Sequence, residues 1–148
     1  KKKDSRVGSY GVVAMVLALL GKFTLLSAMD TTLIPFALLA GHAFSRLCST
    51  LLLASMDYVR EDLLAKSKPL ATRLSPVAML VAICFVVPSL AFLPPQKMIF
   101  VSFLELTVRC GLALKFKRWL GGYTGDCLGA TQQVSEIAFY LGLLALWP

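Results

Sequence analysis

The sequence has few charged residues for its length. Only 16% of its 148 residues are charged, whereas soluble domains contain about 25%. The apolar fraction is 57% and the mean hydropathy is +0.75, which excludes a disordered chain, a coiled coil and a disulfide scaffold. An ordinary water-soluble domain is disfavoured for the same reason. The composition therefore favours a polytopic membrane protein.

Residues that build metal centres and nucleophilic sites are also scarce. His42 is the only histidine, and the four cysteines lie far apart without a C-x-x-C pair. A zinc site needs closely spaced ligands, so buried free thiols are the simpler interpretation. The sequence has neither a P-loop nor a dinucleotide-binding glycine pattern, and a single histidine gives no credible serine–histidine–acid site.

Five stretches are long and apolar enough to form membrane helices, which need about 20 mostly apolar residues. They cover residues 11–29, 32–56, 76–93, 98–114 and 128–147. No internal repeat or linker divides the chain. The sequence thus predicts an all-α fold, a polytopic membrane bundle of about five transmembrane helices in a single domain.

Basic residues alternate between the two sides of these spans. From the N-terminal arm to the C-terminus, the six flanking segments hold 4, 0, 4, 1, 3 and 0 lysines and arginines. The positive-inside rule places the basic segments and the N-terminus in the cytoplasm, which predicts an inner-membrane protein. Topology and attraction to the anionic lipid bilayer account for the net charge of +7. Nucleic acid is disfavoured as a partner, because these charges flank spans without interleaved exposed aromatics.

Ionisable residues inside the spans are costly and raise functional hypotheses. Glu105 and Arg109 stand four residues apart on one span, so we expect them to neutralise each other. Arg46 keeps its charge and needs an anion, which is either Glu105, Glu136 or a bound phosphate. Lys22 lies midway along the first span, where its ammonium cannot easily reach water, so an interior partner is expected.

Two glycine-containing motifs precede the first and fifth spans on the predicted cytoplasmic side. The first motif is residues 3–11, KDSRVGSYG, and the second motif is residues 121–130, GGYTGDCLGA. Glycines let a backbone approach a ligand, and the unpaired N–H groups of a helix start attract phosphate. Asp4 and Asp126 are oxygen ligands suited to Mg²⁺, and Arg6 can bind a phosphate with two hydrogen bonds. The motifs predict a site for a pyrophosphate-bearing substrate, although Asp126 could instead cap the fifth helix.

Both motifs resemble signatures of the cobalamin synthase family, the integral membrane adenosylcobinamide-GDP ribazoletransferases. The resemblance covers essentially the whole chain, since Ser45-Arg46, Tyr58-x-Arg60-Glu61 and Glu136 also match family positions. It implies transfer of the cobinamide phosphate moiety of adenosylcobinamide-GDP to α-ribazole or its 5′-phosphate, with GMP as the leaving product. It further implies Mg²⁺ as cofactor. Other membrane or cytoplasmic enzymes of cobalamin assembly are further candidate partners.

The motifs and the resemblance together give a set of candidate site residues. Asp4, Arg6 and Asp126 are the catalytic candidates, and the two aspartates are also the candidate metal ligands. The candidate substrate-binding residues are Ser5, Gly8, Arg46, Arg60, Gly122, Thr124, Gly125 and Glu136.

The sequence also departs from the family pattern. Family members are longer and carry an acidic signature, Asp-Gly-Leu-x-Asp-x-x-Asp-Gly, upstream of the first motif, whereas this chain has no such run. The chain thus resembles the C-terminal part of a synthase, and we expect it to have little or no transferase activity by itself. Two alternatives stay open. One is a non-catalytic helical membrane module or transporter-like remnant, and the other is another Mg²⁺-dependent membrane transferase that uses nucleotide-linked substrates.

Overall fold

The computed structural model describes residues 8–59, 75–91 and 93–145. These residues form five helices and no sheet, which confirms the predicted all-α class. The helices are α1 (Ser9–Ser27), α2 (Ile34–Ser55), α3 (Pro76–Leu90), α4 (Pro95–Leu120) and α5 (Gly125–Ala145).

The helix ends follow from local chemistry. At the start of α3 the side chain of Ser75 accepts a hydrogen bond from Ala78 N–H, and Pro76 occupies the first helical position, where its missing N–H costs nothing. Helix α4 continues beyond the predicted span limit of Leu114, because no helix breaker intervenes before Gly121. Gly121 adopts a φ of 78°, the left-handed conformation that ends many helices.

The turn between α1 and α2 is closed by a single carboxylate. Asp30 Oδ1 accepts hydrogen bonds from both the N–H and the hydroxyl of Thr32, each at 3.0 Å. The Thr32 backbone N–H is the main reason that the pKa of Asp30 is lowered from its usual value. This exposed turn lies at the opposite end of α1 from the first motif.

Helix α5 is the central element of the bundle and packs against α1, α2 and α4, while α3 packs on α2. Its buried residues Phe139 and Tyr140 approach α2 closely, and a Cβ on Gly41 would lie 2.8 Å from the Tyr140 ring. The absence of a side chain at Gly41 therefore permits the tight contact between α2 and α5. This packing fixes α5, which carries the second motif at its start.

Helix α1 is held much more loosely, since none of its residues is buried. Its second half contacts the core through Leu25 and Leu26, whereas every residue from Ser9 to Leu17 is exposed. By length and composition, α1 and α2 could each cross a membrane, and Pro76–Ser89 is a shorter apolar helical stretch. An apolar helix this exposed is typical of a lipid-facing span.

Helices α1 and α5 run in the same direction, because Gly11 and Asp126 line one cleft while Lys22 and Glu136, further along each helix, form an ion pair. Helices α2 and α4 end where α5 begins, since the chain after α2 hydrogen-bonds to the segment between α4 and α5. We call this end, with the starts of α1 and α5 and the ends of α2 and α4, the motif end.

Candidate functional site

The segment between α4 and α5 is fixed by the chain that follows α2. Tyr123 N–H donates to the carbonyl of Asp57 at 3.0 Å, and Val59 N–H donates to the carbonyl of Tyr123 at 2.9 Å. The two segments thereby form an isolated parallel bridge between Tyr58 and Tyr123. The chain after α2 thus positions the second motif at the motif end.

Gly122 permits this close approach. A Cβ at Gly122 would lie 2.3 Å from the carbonyl oxygen of Asp57 and 2.6 Å from a methyl group of Val59, both too short for real contacts. Gly122 is also buried. Close packing against Asp57 and Val59 therefore requires a glycine at this position. The role of Gly122 in substrate binding stays a prediction.

Replacing Gly122 by Ala is expected to destabilise the protein by about 3 kcal/mol. The added Cβ forces the Asp57 segment away, which costs overpacking strain and the two backbone hydrogen bonds. The free energy of unfolding in mixed micelles measures the change. Gly111→Ala is the matched control, because a Cβ on Gly111 meets nothing within 4 Å. Equal stability of the two variants would contradict the assignment.

Tyr123 anchors the start of the second motif in the protein interior. Its ring is 1% exposed and packs edge-on against Tyr58, with ring centroids 5.5 Å apart. Burial raises the pKa of the Tyr123 phenol, because desolvation disfavours the charged form. Its hydroxyl makes no hydrogen bond to any described residue. Tyr123 is thus a packing residue.

The cap of α5 is Thr124, not Asp126. The Thr124 hydroxyl accepts a hydrogen bond from Cys127 N–H at 3.4 Å and lies 3.3 Å from Cys127 Sγ. This is the pattern of an N-cap residue bonded to the third residue along. The alternative in which Asp126 caps the helix is therefore wrong. Asp126 is exposed, and its carboxylate forms no hydrogen bond or ion pair with the described residues.

A cleft of about 790 Å³ separates the first half of α1 from α5. It lies along the half of α1 in which every residue from Ser9 to Leu17 is exposed. The cleft is lined by Gly11, Ala14, Met15, Ala18 and Leu19 of α1 and by Gly125, Asp126, Gly129, Ala130, Gln133, Val134 and Ile137 of α5. The two motifs were predicted separately, and the cleft brings Gly11 of the first together with Gly125 and Asp126 of the second.

Lys22 ties α1 to α5 at the inner end of this cleft. Its ammonium lies 2.7 Å from Glu136 Oε2 and 2.7 Å from Gln133 Oε1. Glu136 Oε1 in turn accepts a hydrogen bond from the Tyr140 hydroxyl at 2.8 Å. The expected interior partner of Lys22 is thereby confirmed. Both carboxylate oxygens of Glu136 have protein partners.

The predicted pairing of Glu105 with Arg109 is wrong. Glu105 is fully buried and its Oε2 lies 3.4 Å from Cys48 Sγ. Arg109 instead donates to the carbonyl of Leu51 at 2.8 Å and to the hydroxyl of Ser55 at 2.6 Å. The two side chains lie one turn apart on α4, and each contacts a different polar group of α2.

Arg46 does not reach either of the glutamates proposed for it. Its Nε donates to His42 Nε2, one turn earlier in α2, at 3.1 Å, and the side chain is exposed. Among the described residues it forms no ion pair and does not line the cleft between α1 and α5. Of the three anions expected for Arg46, the bound phosphate alone stays open.

Of the remaining candidate site residues, some lie within the described ranges and others lie outside them. Asp4, Ser5, Arg6 and Arg60 lie outside the described residues. Gly8 is described, exposed and directly before α1. No group of three or more potential metal-ligating side chains occurs within the described ranges. Asp126 fits a single carboxylate ligand of Mg²⁺, which completes its shell with waters and substrate phosphates.

The inner-end network of Lys22, Gln133 and Glu136 was only partly predictable. Glu136 was a candidate through the family resemblance, and Lys22 through its position inside a span. Gln133 was missed, although it stands three residues before Glu136 and therefore shares a face of α5 with it. Only the parallel packing of α1 and α5 shows that the three side chains meet.

Comparison with known proteins assigns the chain to a family. Residues 3–144 match the family described as Cobalamin-5-phosphate synthase. The chain is 41% identical over 145 residues to a protein of Shewanella woodyi and 42% identical over 167 residues to a protein of Polaromonas sp.. Both relatives are named "Adenosylcobinamide-GDP ribazoletransferase". No solved structure matches the chain.

The match covers nearly all of this chain but only part of each relative. It includes 96% of the chain and 56% of the Shewanella woodyi protein, and 95% and 57% for the Polaromonas pair. The chain thus spans little more than half the length of these relatives and corresponds to a C-terminal portion. The family match, the identity and the helical fold agree: this chain belongs to the cobalamin-5-phosphate synthase family of membrane proteins.

Proposed function

We propose that the chain forms part of an adenosylcobinamide-GDP ribazoletransferase. The enzyme transfers the cobinamide phosphate moiety of adenosylcobinamide-GDP to α-ribazole or its 5′-phosphate. The products are adenosylcobalamin or its phosphate, and GMP. The protein lies in the inner membrane with both motifs on the cytoplasmic face, where the nucleotide-linked substrate is available.

The observation that carries this proposal is the convergence of both motifs on one cleft. Gly11 and Asp126 belong to different motifs, more than a hundred residues apart, and line the same space. The starts of α1 and α5 point their free backbone N–H groups toward this end of the bundle. A pyrophosphate needs such donors together with a carboxylate-held cation.

The reaction balances as a single displacement at phosphorus. A ribose hydroxyl oxygen of the acceptor forms a bond to the cobinamide-side phosphorus, and the bond from that phosphorus to the oxygen of GMP breaks. The hydroxyl proton passes to a carboxylate or to water, and GMP leaves with the bonding electron pair. Phosphoryl transfer of this kind depends on positioning and charge neutralisation.

The residues of this chain supply those two functions. Asp126 is the described carboxylate at the cleft, placed to accept a proton or to bind the cation. A bound Mg²⁺ would neutralise charge on the pyrophosphate. Asp4 and Arg6 of the first motif are proposed as the second carboxylate and the phosphate-binding guanidinium, with Ser5 as a hydrogen-bond donor. Gly8 and Gly125 permit close approach of the substrate to the protein backbone.

The hydrogen bonds of Thr124 and Glu136 to other protein groups make their proposed roles more specific. Thr124 uses its hydroxyl to cap α5, so we assign it the positioning of the helix start that faces the phosphate. Glu136 is bound to Lys22 and Tyr140, so we assign it the joining of α1 to α5. Arg46 and Arg60 remain candidates for binding a phosphate of the substrate.

The decisive experiment is a turnover assay with a chimera. The chimera joins the N-terminal part of the Shewanella woodyi relative, up to the start of the match, to this chain. We expect it to form adenosylcobalamin and GMP from adenosylcobinamide-GDP and α-ribazole, and the 148-residue chain alone to form little or none. A folded chimera without turnover, beside an active Shewanella woodyi protein, would contradict the proposal and favour a non-catalytic module.

A further inference from the structure

The cleft between α1 and α5 has mostly apolar walls and two polar side chains, Asp126 at the motif end and Gln133 two turns further along α5. Small side chains line both walls, with Ala14 and Ala18 on α1 and Gly129 and Ala130 on α5. The carboxylate of Asp126 lies at the end nearest the two motifs. These two polar groups in an otherwise apolar cleft constrain what it can bind.

The inner end of the cleft presents a hydrogen-bond donor. The ammonium of Lys22 only donates hydrogen bonds, so the Gln133 atom that lies 2.7 Å from it must be the amide oxygen. The Gln133 NH₂ group is then turned away from Lys22, and it has no hydrogen-bond partner among the described residues. A donor at the end of an apolar cleft favours a ligand whose apolar part carries an acceptor atom.

The dimensions of the cleft suit a nucleoside-like molecule. Asp126 and Gln133 stand seven residues apart in α5, about 10 Å at the helical rise of about 1.5 Å per residue. That separation is comparable with the length of an aromatic base joined to a ribose. Small residues in both walls, together with Met15, Leu19, Val134 and Ile137, give such a ring apolar surfaces to contact.

We propose that this cleft is the binding site of the acceptor, with the aromatic base of α-ribazole between α1 and α5. The unsubstituted ring nitrogen accepts a hydrogen bond from the Gln133 NH₂ group, and the ribose hydroxyls face Asp126. This inference rests on the proposed function, because the names of the relatives supply the acceptor class. It adds the place of the acceptor and the residues that select it.

The Gln133 side chain argues against a lipid acyl chain as the occupant of the cleft. An acyl chain would cover the Gln133 NH₂ group and leave it without a compensating hydrogen-bond acceptor. A riboside whose base carries an acceptor atom avoids this penalty.

The test is binding of α-ribazole to the full chain in nanodiscs of phosphatidylethanolamine and phosphatidylglycerol. Gly129→Leu fills the cleft from α5 without a clash, since a Cβ at Gly129 meets nothing within 4 Å. Ala14→Leu fills it from α1. We expect each variant to weaken binding at least about tenfold. Gly111→Leu is the matched control, because Gly111 is equally open, lies on α4 and does not line this cleft.

The outcomes separate this inference from the proposed function. Unchanged affinity in both cleft-filling variants, or no binding of α-ribazole to the wild-type chain, would overturn the acceptor site. Neither of these results bears on whether the chimera converts adenosylcobinamide-GDP. Failure of the chimera to turn over would instead remove the proposed function.

Discussion

Asp126→Ala is expected to lower the rate of GMP release by the chimera at least about a hundredfold, the usual loss when a positioned proton-transferring or charge-bearing group is removed. The carboxylate is exposed in the cleft where the two motifs meet. Since Thr124 caps α5, loss of the Asp126 side chain removes no described hydrogen bond. Activity should therefore fall while stability stays nearly unchanged.

The comparison that isolates this effect uses two further variants. Asp126→Asn keeps the shape but removes the charge, so it should be nearly as inactive as the alanine variant if the carboxylate binds a cation or accepts a proton. Asp30→Ala removes an exposed carboxylate in the turn between α1 and α2, far from the motif end, and should leave the rate unchanged. A full rate for Asp126→Ala would remove Asp126 from the catalytic machinery.

Lys22→Met is expected to destabilise the attachment of α1 by about 3 kcal/mol. The ion pair with Glu136 is largely enclosed, with the two side chains 15% and 13% exposed. Removing one partner leaves the other charge uncompensated inside the bundle, which is the costly way to break such a pair. Because α1 has no buried residue, it has little apolar packing to offset this loss.

Exchanging the two charges tests whether the pair itself is what matters. In the double variant Lys22→Glu with Glu136→Lys, the ammonium introduced on α5 can donate to the carboxylate introduced on α1 and to the Tyr140 hydroxyl. The Gln133 amide can turn to donate to the same carboxylate. We expect the exchange to restore at least half of the lost unfolding free energy. Lys115→Met is the control, because Lys115 is exposed, lies over the face of Trp119 and forms no ion pair with the described residues.

Stability of the single and exchanged variants is measured by unfolding in mixed micelles, and the position of α1 by cross-linking between cysteines placed at Ser9 and Gly125. Loss of the cross-link in Lys22→Met and its return in the exchanged variant would show that the pair keeps the two motif starts together. If the cross-link and the unfolding free energy are the same in all variants, the pair does not hold α1.

Much of the fold was predictable because the signals are local. A mostly apolar run of about 20 residues predicts a membrane helix wherever it occurs, and the described helices fall within or around the five predicted stretches. The end of helix α4 has a local cause too, and it lies beyond the predicted span 98–114 without contradicting it. The basic residues after Leu114 were taken to end a span, whereas a helix continues until a residue such as Gly121 changes the backbone conformation.

The candidate site was predictable only in part. The identity of Asp126 as a candidate followed from its place at a helix start next to glycines. The sequence did not show that the Asp126 carboxylate is free of a capping role. Whether Thr124 or Asp126 caps α5 depends on side-chain geometry, which cannot be read from the order of residues. The prediction that Glu105 pairs with Arg109 was wrong for a related reason. Spacing shows that two side chains can meet, but not that a neighbouring helix offers each a better partner.

The sequence by itself determined the helical membrane class, the family and the two motifs, because composition, hydrophobic length and residue order act over short distances along the chain. Tertiary structure decided that α1 and α5 run side by side in the same direction and that Lys22 contacts Glu136 and Gln133. It also decided that a cleft opens between the two helices, on the side of that contact nearer the motif end. Such features depend on which helix faces are buried together. Only packing of residues distant in the chain could place Gly11 and Asp126 at one site.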